Sequence, residues 1–261
     1  MTRRETVDVG GVPVSYLTAG EGGPLVLLLH GTYWSRVWQP VLDGIAAAGL
    51  RPVAVDFPGF GRSGGELTVS EASVPRLSAW LLHFLKALGH KGPVMVAGHD
   101  IGGGVAQHLM LAKEVEVPRA AVVNGIMYDS WPVPGVARFR DPAVAAATTR
   151  DDVLAARRVS VVKALGRPAG EAEITEYLEP WTDPRSPAHG WRSRARRTTA
   201  TLGRCCRPCC NPGRRNSWSG ARTTNSRPSI MPNATRARFR IPGLSGSNRQ
   251  ATFRWKTIPK R

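Results

Sequence analysis

The stretch "GHDIGG", residues 98–103, decides how this sequence is read. It follows the apolar run "PVMVA" and precedes "GVAQHLMLA", so it joins a buried strand to a helix. The turn between them must be sharp, and glycines flank the one residue at its apex, Asp100. A carboxylate at the mouth of a helix has two readings. It can cap the helix by accepting from backbone N–H groups, a role for which Asp is well suited. It can also be a reactive group that the turn pushes into a pocket. The cap needs no flanking glycines, whereas a strained turn does: Gly98 and Gly102 remove side chains that would collide where strand and helix approach.

Working outward, strands alternate with helices. "VPVSYLTAG" and "PLVLLLHG" read as strands, "WQPVLDGIAAAGL" as a helix, and "RPVAVDFPGFGRSGG" as a strand running into a glycine-rich loop. "VPRLSAWLLHFLKALG" is an amphipathic helix, "GPVMVAGHD" a strand, "IGGGVAQHLMLAKE" a helix and "RAAVVNGIM" a strand. This rhythm predicts an α/β fold, with a mostly parallel sheet flanked by helices and a site at the carboxyl ends of the strands. From "YDSWPVPGVARFRDP" to "EITEYLEPWTDP" the pattern becomes helical and Pro-punctuated, as in an inserted lid. The expected division is a core over 1–130, a helical lid over 131–190 and a basic segment over 191–261.

Three loops fall at predicted strand ends: "HGTYW" (30–34), "DFPGFGRSG" (56–64) and "GHDIGG". In order and spacing they resemble the α/β-hydrolase family over roughly residues 10–190, and the elbow resembles the branch of haloalkane dehalogenases and epoxide hydrolases, with Asp where many hydrolases carry Ser. The resemblance implies that Asp100 attacks an sp³ carbon of a small-molecule substrate and that activated water then hydrolyses the ester. It implies an oxyanion hole from the N–H of Ile101 and one from the loop His30-Gly31-Thr32, with Thr32 as donor and His30 in a structural role. The residue after the nucleophile is Ile101 rather than a halide-binding Trp, and Thr32 stands where a halide-binding Asn would, which favours epoxides over haloalkanes. Lid tyrosines protonate the opening oxygen in epoxide hydrolases; Tyr177, with Tyr128 second, is available, and core packing is the other reading of each. Trp131 and Trp181 read as lid packing. No cofactor and no metal are implied.

Composition sets the remaining limits. The 261 residues are 42% apolar, enough for a sizeable core, and no apolar run is long enough to cross a membrane. The start "MTRRETVDVGG" carries acids and no hydrophobic segment, so the expectation is a soluble cytoplasmic protein. The net charge of +17 is unevenly placed: residues 1–190 hold 18 Lys+Arg and all 19 acids, while 191–261 hold 18 Lys+Arg and no acid. All four cysteines (Cys205, Cys206, Cys209, Cys210) are in that segment and the last histidine is His189. His83, His90 and His108 read as packing or surface residues, so the base that the resemblance expects near the C-terminus has no candidate. The segment could be a nucleic-acid arm on a non-catalytic hydrolase-like scaffold, although four cysteines within six residues crowd a zinc site.

A third reading accounts for more. If the third base of each codon is joined to the first two of the next, Ser217 through Pro228 permit the translation LVWGEDDEFQP, which suits the strand bearing the acid of this family. Gln250 through Arg261 permit GHFPLEDDPEA, which suits the missing Gly-His segment. The expectation is therefore a frame lost near Asp183 to Arg194, with C-terminal strands lost or aberrant and a chain that is inactive as written.

Overall fold

The computed structural model describes residues 1–65, 67, 71, 73–127, 130, 134–138 and 141–182, with the two-residue segments 237–238, 252–253 and 256–257. Tyr128, Trp131, His189, the cysteines and nearly all of 183–261 lie outside the described residues, and with them much of the expected basic segment.

The sheet begins with a hairpin that the sequence reading did not include. β1 (Arg3–Val9) pairs antiparallel with β2 (Val12–Thr18), Val9 opposite Val12. Gly10 and Gly11 form the two-residue turn, both at positive φ (64° and 84°), a backbone that a tight hairpin requires and that glycine adopts without strain. The Gly10-Gly11 pair just before the alternating run of β2 is the signal that would have found it. β3 (Leu25–Leu29), β4 (Arg51–Val55), β5 (Met95–His99) and β6 (Arg119–Val123) follow, in the order β1-β2-β4-β3-β5-β6. β2 meets β4 antiparallel, and the pairs β3/β4, β3/β5 and β5/β6 are parallel. Beyond β6 the sheet gains Lys256–Thr257, antiparallel to Arg119 and Ala120; Ala237–Arg238 and Thr252–Phe253 pair with each other.

The strand residues divide by parity between two cores, as a two-residue repeat requires. Leu25, Leu27, Leu29, Val53, Val55, Val94 and Val96 face α2 (Val74–Ala87) and α3 (Ile101–Leu109), meeting Leu81, Phe84, Val105 and Leu109. Val26, Leu28, Ala54, Met95 and Ala97 face the other way, onto Trp38 and the Leu42 of α1 (Gln39–Ala47). The sheet is thus covered on both faces.

After β6 come α4 (Pro134–Ala137), α5 (Pro142–Ala147), α6 (Arg150–Leu165) and α7 (Glu171–Thr182). A capping box between Thr149 and Asp152 starts α6, and Gly166, left-handed at φ 62°, ends it. A third apolar cluster joins α6 and α7 to the loop after β3: Val153, Val161, Ile174, Tyr177, Leu178 and Trp181 pack with Tyr33 and Trp34. The helical segment therefore sits over the carboxyl ends of β3, β4 and β5. Among the described residues no helix is long and apolar enough to cross a membrane.

Candidate active site

Asp100 stands at φ 55°, ψ −122°, a region that costs a non-glycine residue about 1–3 kcal/mol and persists only where its surroundings enforce it. The enforcement is visible. The Asp100 carbonyl accepts from the N–H groups of Gly103 and Ile126, both at 3.0 Å. A Cβ on Gly98 would lie 2.7 Å from the Gly103 nitrogen, and one on Gly102 would lie 2.6 Å from the His30 carbonyl oxygen. Both glycines are required by close backbone approach, as the sequence implied. The Asp100 side chain makes no capping hydrogen bond to α3, so the cap reading does not hold.

The carboxylate turns instead to the loop after β3. Oδ2 accepts from the Thr32 N–H at 2.8 Å and from the Thr32 hydroxyl at 2.7 Å. Gly31 lies so close that an added Cβ would stand 2.5 Å from the Cβ and Cγ of Asp100. Ile101 is 3% exposed, its side chain packed into the core with Val105 and Leu109. Of the expected oxyanion donors, the Thr32 N–H is thus brought onto the carboxylate.

His30 is fully buried and uses both ring nitrogens: Nδ1 lies 2.9 Å from the Gly31 carbonyl oxygen, and Nε2 lies 3.1 Å from the Phe57 nitrogen. Since the Phe57 N–H can only donate, Nε2 accepts and Nδ1 carries the proton. Burial pushes the imidazole below its ordinary pKa of 6.5, against the pull of Asp56, and the ring stays neutral. It ties the loop after β3 to the loop after β4, which fits a structural role, not contact with substrate.

Asp56 was quoted only as part of a loop and proves to be its organiser. Fully buried, it accepts from the Ser35 N–H at 2.7 Å, the Arg62 N–H at 3.1 Å and Arg4 at 3.3 Å. Gly61, at φ 52°, is packed against its carboxylate, where a Cβ would stand 2.5 Å from both oxygens or closer. The signal was a buried acid opening a glycine-rich turn, where N–H groups converge.

The helical segment adds two residues that sequence reasoning missed. Tyr33, 9% exposed, packs with the apolar residues of α6 and α7 and feels the charges of Arg157 and Asp100. Burial raises its pKa, so the phenol keeps its proton. Arg157 donates to the Thr32 carbonyl at 3.0 Å and lies over the Trp181 ring, 4.1 Å from its centroid. Tyr177, the lid tyrosine read from the sequence, is one ring further out. It meets Tyr33 edge-on at 6.1 Å and carries Arg36 over its own face at 5.0 Å. After burial, its strongest influences are Arg36, Glu173 and Glu176, whereas Tyr33 feels Asp100. Trp34 Nε1 donates to the Tyr177 carbonyl at 3.1 Å, and the pairs Arg36–Glu176 (2.6 Å) and Arg62–Glu179 complete the docking of α7. Among the described residues no group of three His, Cys, Asp or Glu side chains is placed to hold a metal.

Comparison with known proteins bears on this geometry. The chain is 32% identical to epoxide hydrolase A of Mycobacterium tuberculosis over 139 residues, 51% of this chain and 42% of that protein. It is 33% identical to the bifunctional epoxide hydrolase 2 of Sus scrofa over 116 residues, 44% of this chain and 20% of that one. A haloalkane dehalogenase of Mycolicibacterium paratuberculosis matches at 28% over 122 residues, 46% of this chain and 40% of that one. The chain thus spans less than half the length of each of these relatives. Among solved structures, the epoxide hydrolase CorEH superposes with a TM-score of 0.60 at 25% identity, over 77% of this chain and 74% of that one. The haloalkane dehalogenase DbeA of Bradyrhizobium elkani superposes with a TM-score of 0.61 at 21% identity, over 80% of this chain and 72% of that one, which speaks for the fold alone. The family model described as the alpha/beta hydrolase family matches residues 26–246, past the point where the frame reading puts its break. With its sheet order, its elbow and this match over most of its length, the chain belongs to the alpha/beta hydrolase family.

Proposed function

We propose that Asp100 is the nucleophile of a hydrolase acting on epoxides or related small electrophiles through an ester intermediate. One observation carries the reading: the carboxylate is held in a strained backbone, is not spent on capping its helix, and has Oδ2 fixed by both Thr32 donors. Oδ1 is then the attacking oxygen. It forms a bond to a ring carbon, the ring C–O bond breaks, and the released alkoxide takes the proton of a nearby phenol. Tyr33 is the candidate donor, because it follows Thr32, which is bonded to Asp100, and burial keeps its phenol protonated; Tyr177 meets it edge-on.

The second half-reaction places negative charge on Oδ2 when water attacks the Asp100 carbonyl. The Thr32 N–H already points there, and a donor aimed at a developing oxyanion is worth roughly 10²–10³ in rate. The N–H of Ile101 is the second donor in this proposal. Activating the water takes a base, and no histidine follows His189 in this sequence. We therefore propose that this chain stops at the ester, and that the acid and histidine are encoded in the alternate frame beyond Asp183 to Arg194.

Intact mass after incubation with styrene oxide tests the first part. A persistent single adduct on Asp100 is expected, absent in Asp100→Asn; sustained diol release would reveal a base elsewhere. The coding DNA tests the second, and stop codons in the alternate frame would end it. In a frame-restored chain, one turnover in ¹⁸O-water with enzyme in excess should give unlabelled diol and leave the label in Asp100. Label in the first diol would mean that water attacks directly.

A further inference from the structure

The inner face of α6 carries an ill-matched residue. Val153 and Val161 lie eight positions apart on one stripe and are both buried against Tyr33, Trp34 and α7. Arg157 lies between them on that stripe, one helical turn from each. A guanidinium set among apolar side chains is unfavourable unless an anion faces it.

Among the described residues the contacts of Arg157 supply no anion. One terminal nitrogen donates to the Thr32 carbonyl, the face of the group lies over Trp181, and Nε is buried without a hydrogen-bond partner. No Asp or Glu is paired with it among the described residues, and no acidic side chain occurs after Asp183. Arg157 is partly buried with its Nε shielded, burial lowers its pKa to about 10, and it stays charged at neutral pH with no acidic partner among the described residues. The arginines around it are treated otherwise: Arg36 meets Glu176, Arg62 meets Glu179, Arg158 meets Glu171 and Arg167 meets Glu173. Arg157 is also the one bonded to Thr32, the residue that holds the Asp100 carboxylate.

We propose that Arg157 is the docking group for a carboxylate on the substrate, so that this site takes small anionic electrophiles such as 2,3-epoxy acids. The inference rests on reading Asp100 as the nucleophile. Arg157 is a specificity-determining residue: a planar guanidinium can offer two parallel donors to a carboxylate, and one terminal nitrogen already reaches the Thr32 carbonyl. A substrate anchored there would present its adjacent carbons to the neighbourhood of Thr32 and Asp100. A purely structural tether would account for the Thr32 contact and the Trp181 stacking, and would give no preference for anions.

The test uses two unreactive probes of one shape, butyrate and butyramide, titrated into the full-length chain and followed by ligand-observed NMR. Charge-assisted hydrogen bonding predicts that butyrate binds about tenfold or more tighter. Arg157→Gln should bring the ratio to about one. Should Arg157→Gln fail to fold, Arg157→Lys carries the test: it keeps the charge, loses the fork, and should reduce the ratio severalfold. Equal binding of both probes by the unmodified chain, or a preference undiminished in the variants, would overturn the proposal. Because neither probe is an electrophile, these outcomes do not depend on whether Asp100 forms an ester, which the adduct experiment decides separately.

Discussion

Replacing Gly31 by alanine should separate the chemistry from the fold. The added Cβ would stand 2.5 Å from both the Cβ and the Cγ of Asp100, where ordinary van der Waals contact begins at 3.4 Å. One partner must move by about 1 Å; because the Asp100 Cβ follows a backbone pinned by Gly103 and Ile126, the loop that carries Gly31 and Thr32 is the part that gives, and it moves away from the carboxylate. A displacement of that size stretches the Thr32 bonds at 2.8 and 2.7 Å beyond useful length. Each charge-assisted bond is worth about 1.5–3 kcal/mol, and a 1 Å misplacement of a reacting group costs roughly 10²-fold in rate. The expected result for Gly31→Ala is adduct formation at Asp100 slowed ~10²-fold, with circular dichroism unchanged. Gly44→Ala, where an added Cβ meets nothing within 4 Å, is the control and should react at the parental rate. The assay is the growth of the single-adduct peak by intact mass over time. Parental rates in Gly31→Ala would refute the reasoning, since a carboxylate that can lose its Thr32 bonds without effect is not the attacking group.

Gly98→Ala should fail differently, because its added Cβ meets the backbone of Gly103 at 2.7 Å; loss of soluble folded protein on expression is expected, and a stable variant would show that the elbow is looser than described. Acid should weaken the fold: His30 and His99 both have pKa values below the ordinary 6.5, so the unfolded chain takes up protons first, and the stability they contribute is present above pH 6.5 and lost as pH falls below it. Thermal unfolding at pH 7.5 and 5.5 checks this, and His30→Gln should flatten the difference. Trp34, 2% exposed and bonded to the Tyr177 carbonyl, couples the helical segment to the core; Trp34→Ala should cost about 3–5 kcal/mol in urea unfolding and expose α6–α7 to protease. Glu176→Gln should cost under about 1 kcal/mol, since Glu176 is 39% exposed and solvent screens its pair with Arg36; a larger loss would mean that the ion pair dominates the docking.

What the sequence disclosed depended on the range over which each signal acts. Strands β2 to β6 and helices α1 to α3 were legible because burial imposes a local period, and the elbow because two glycines and one acid in five residues have few other uses. β1 was overlooked: its residues alternate only weakly, and the Gly10-Gly11 turn was the stronger clue. The helical segment was legible only as a change of rhythm. Its docking rests on contacts such as Trp34 to Tyr177, 143 positions apart, which leave no local trace. Tyr177 was singled out for sitting in the segment where a lid tyrosine belongs, yet Tyr33, in the loop beside Asp100, is the tyrosine on which the Asp100 charge acts. Arg157 was invisible for the same reason: among many arginines, only folding shows which one has no acid beside it among the described residues.

The described groups also divide the proposed reaction along the chain. Everything that strains and orients Asp100 comes from residues 30 to 126: the Thr32 donors, the His30 tie, and the bonds from Gly103 and Ile126. Thr32 meets Asp100 across 68 positions, and all of these contacts surround a sheet whose two cores are built from residues before the helical segment. In the proposed reaction the groups that break the ester would belong to the stretch after residue 182, which here is acid-free beyond Asp183 and histidine-free beyond His189. The geometry of Asp100 is held by its own elbow and by the loop after β3. In the proposed reaction the two half-reactions would then be separable, and a persistent ester on Asp100 is the physical form which that separation would take.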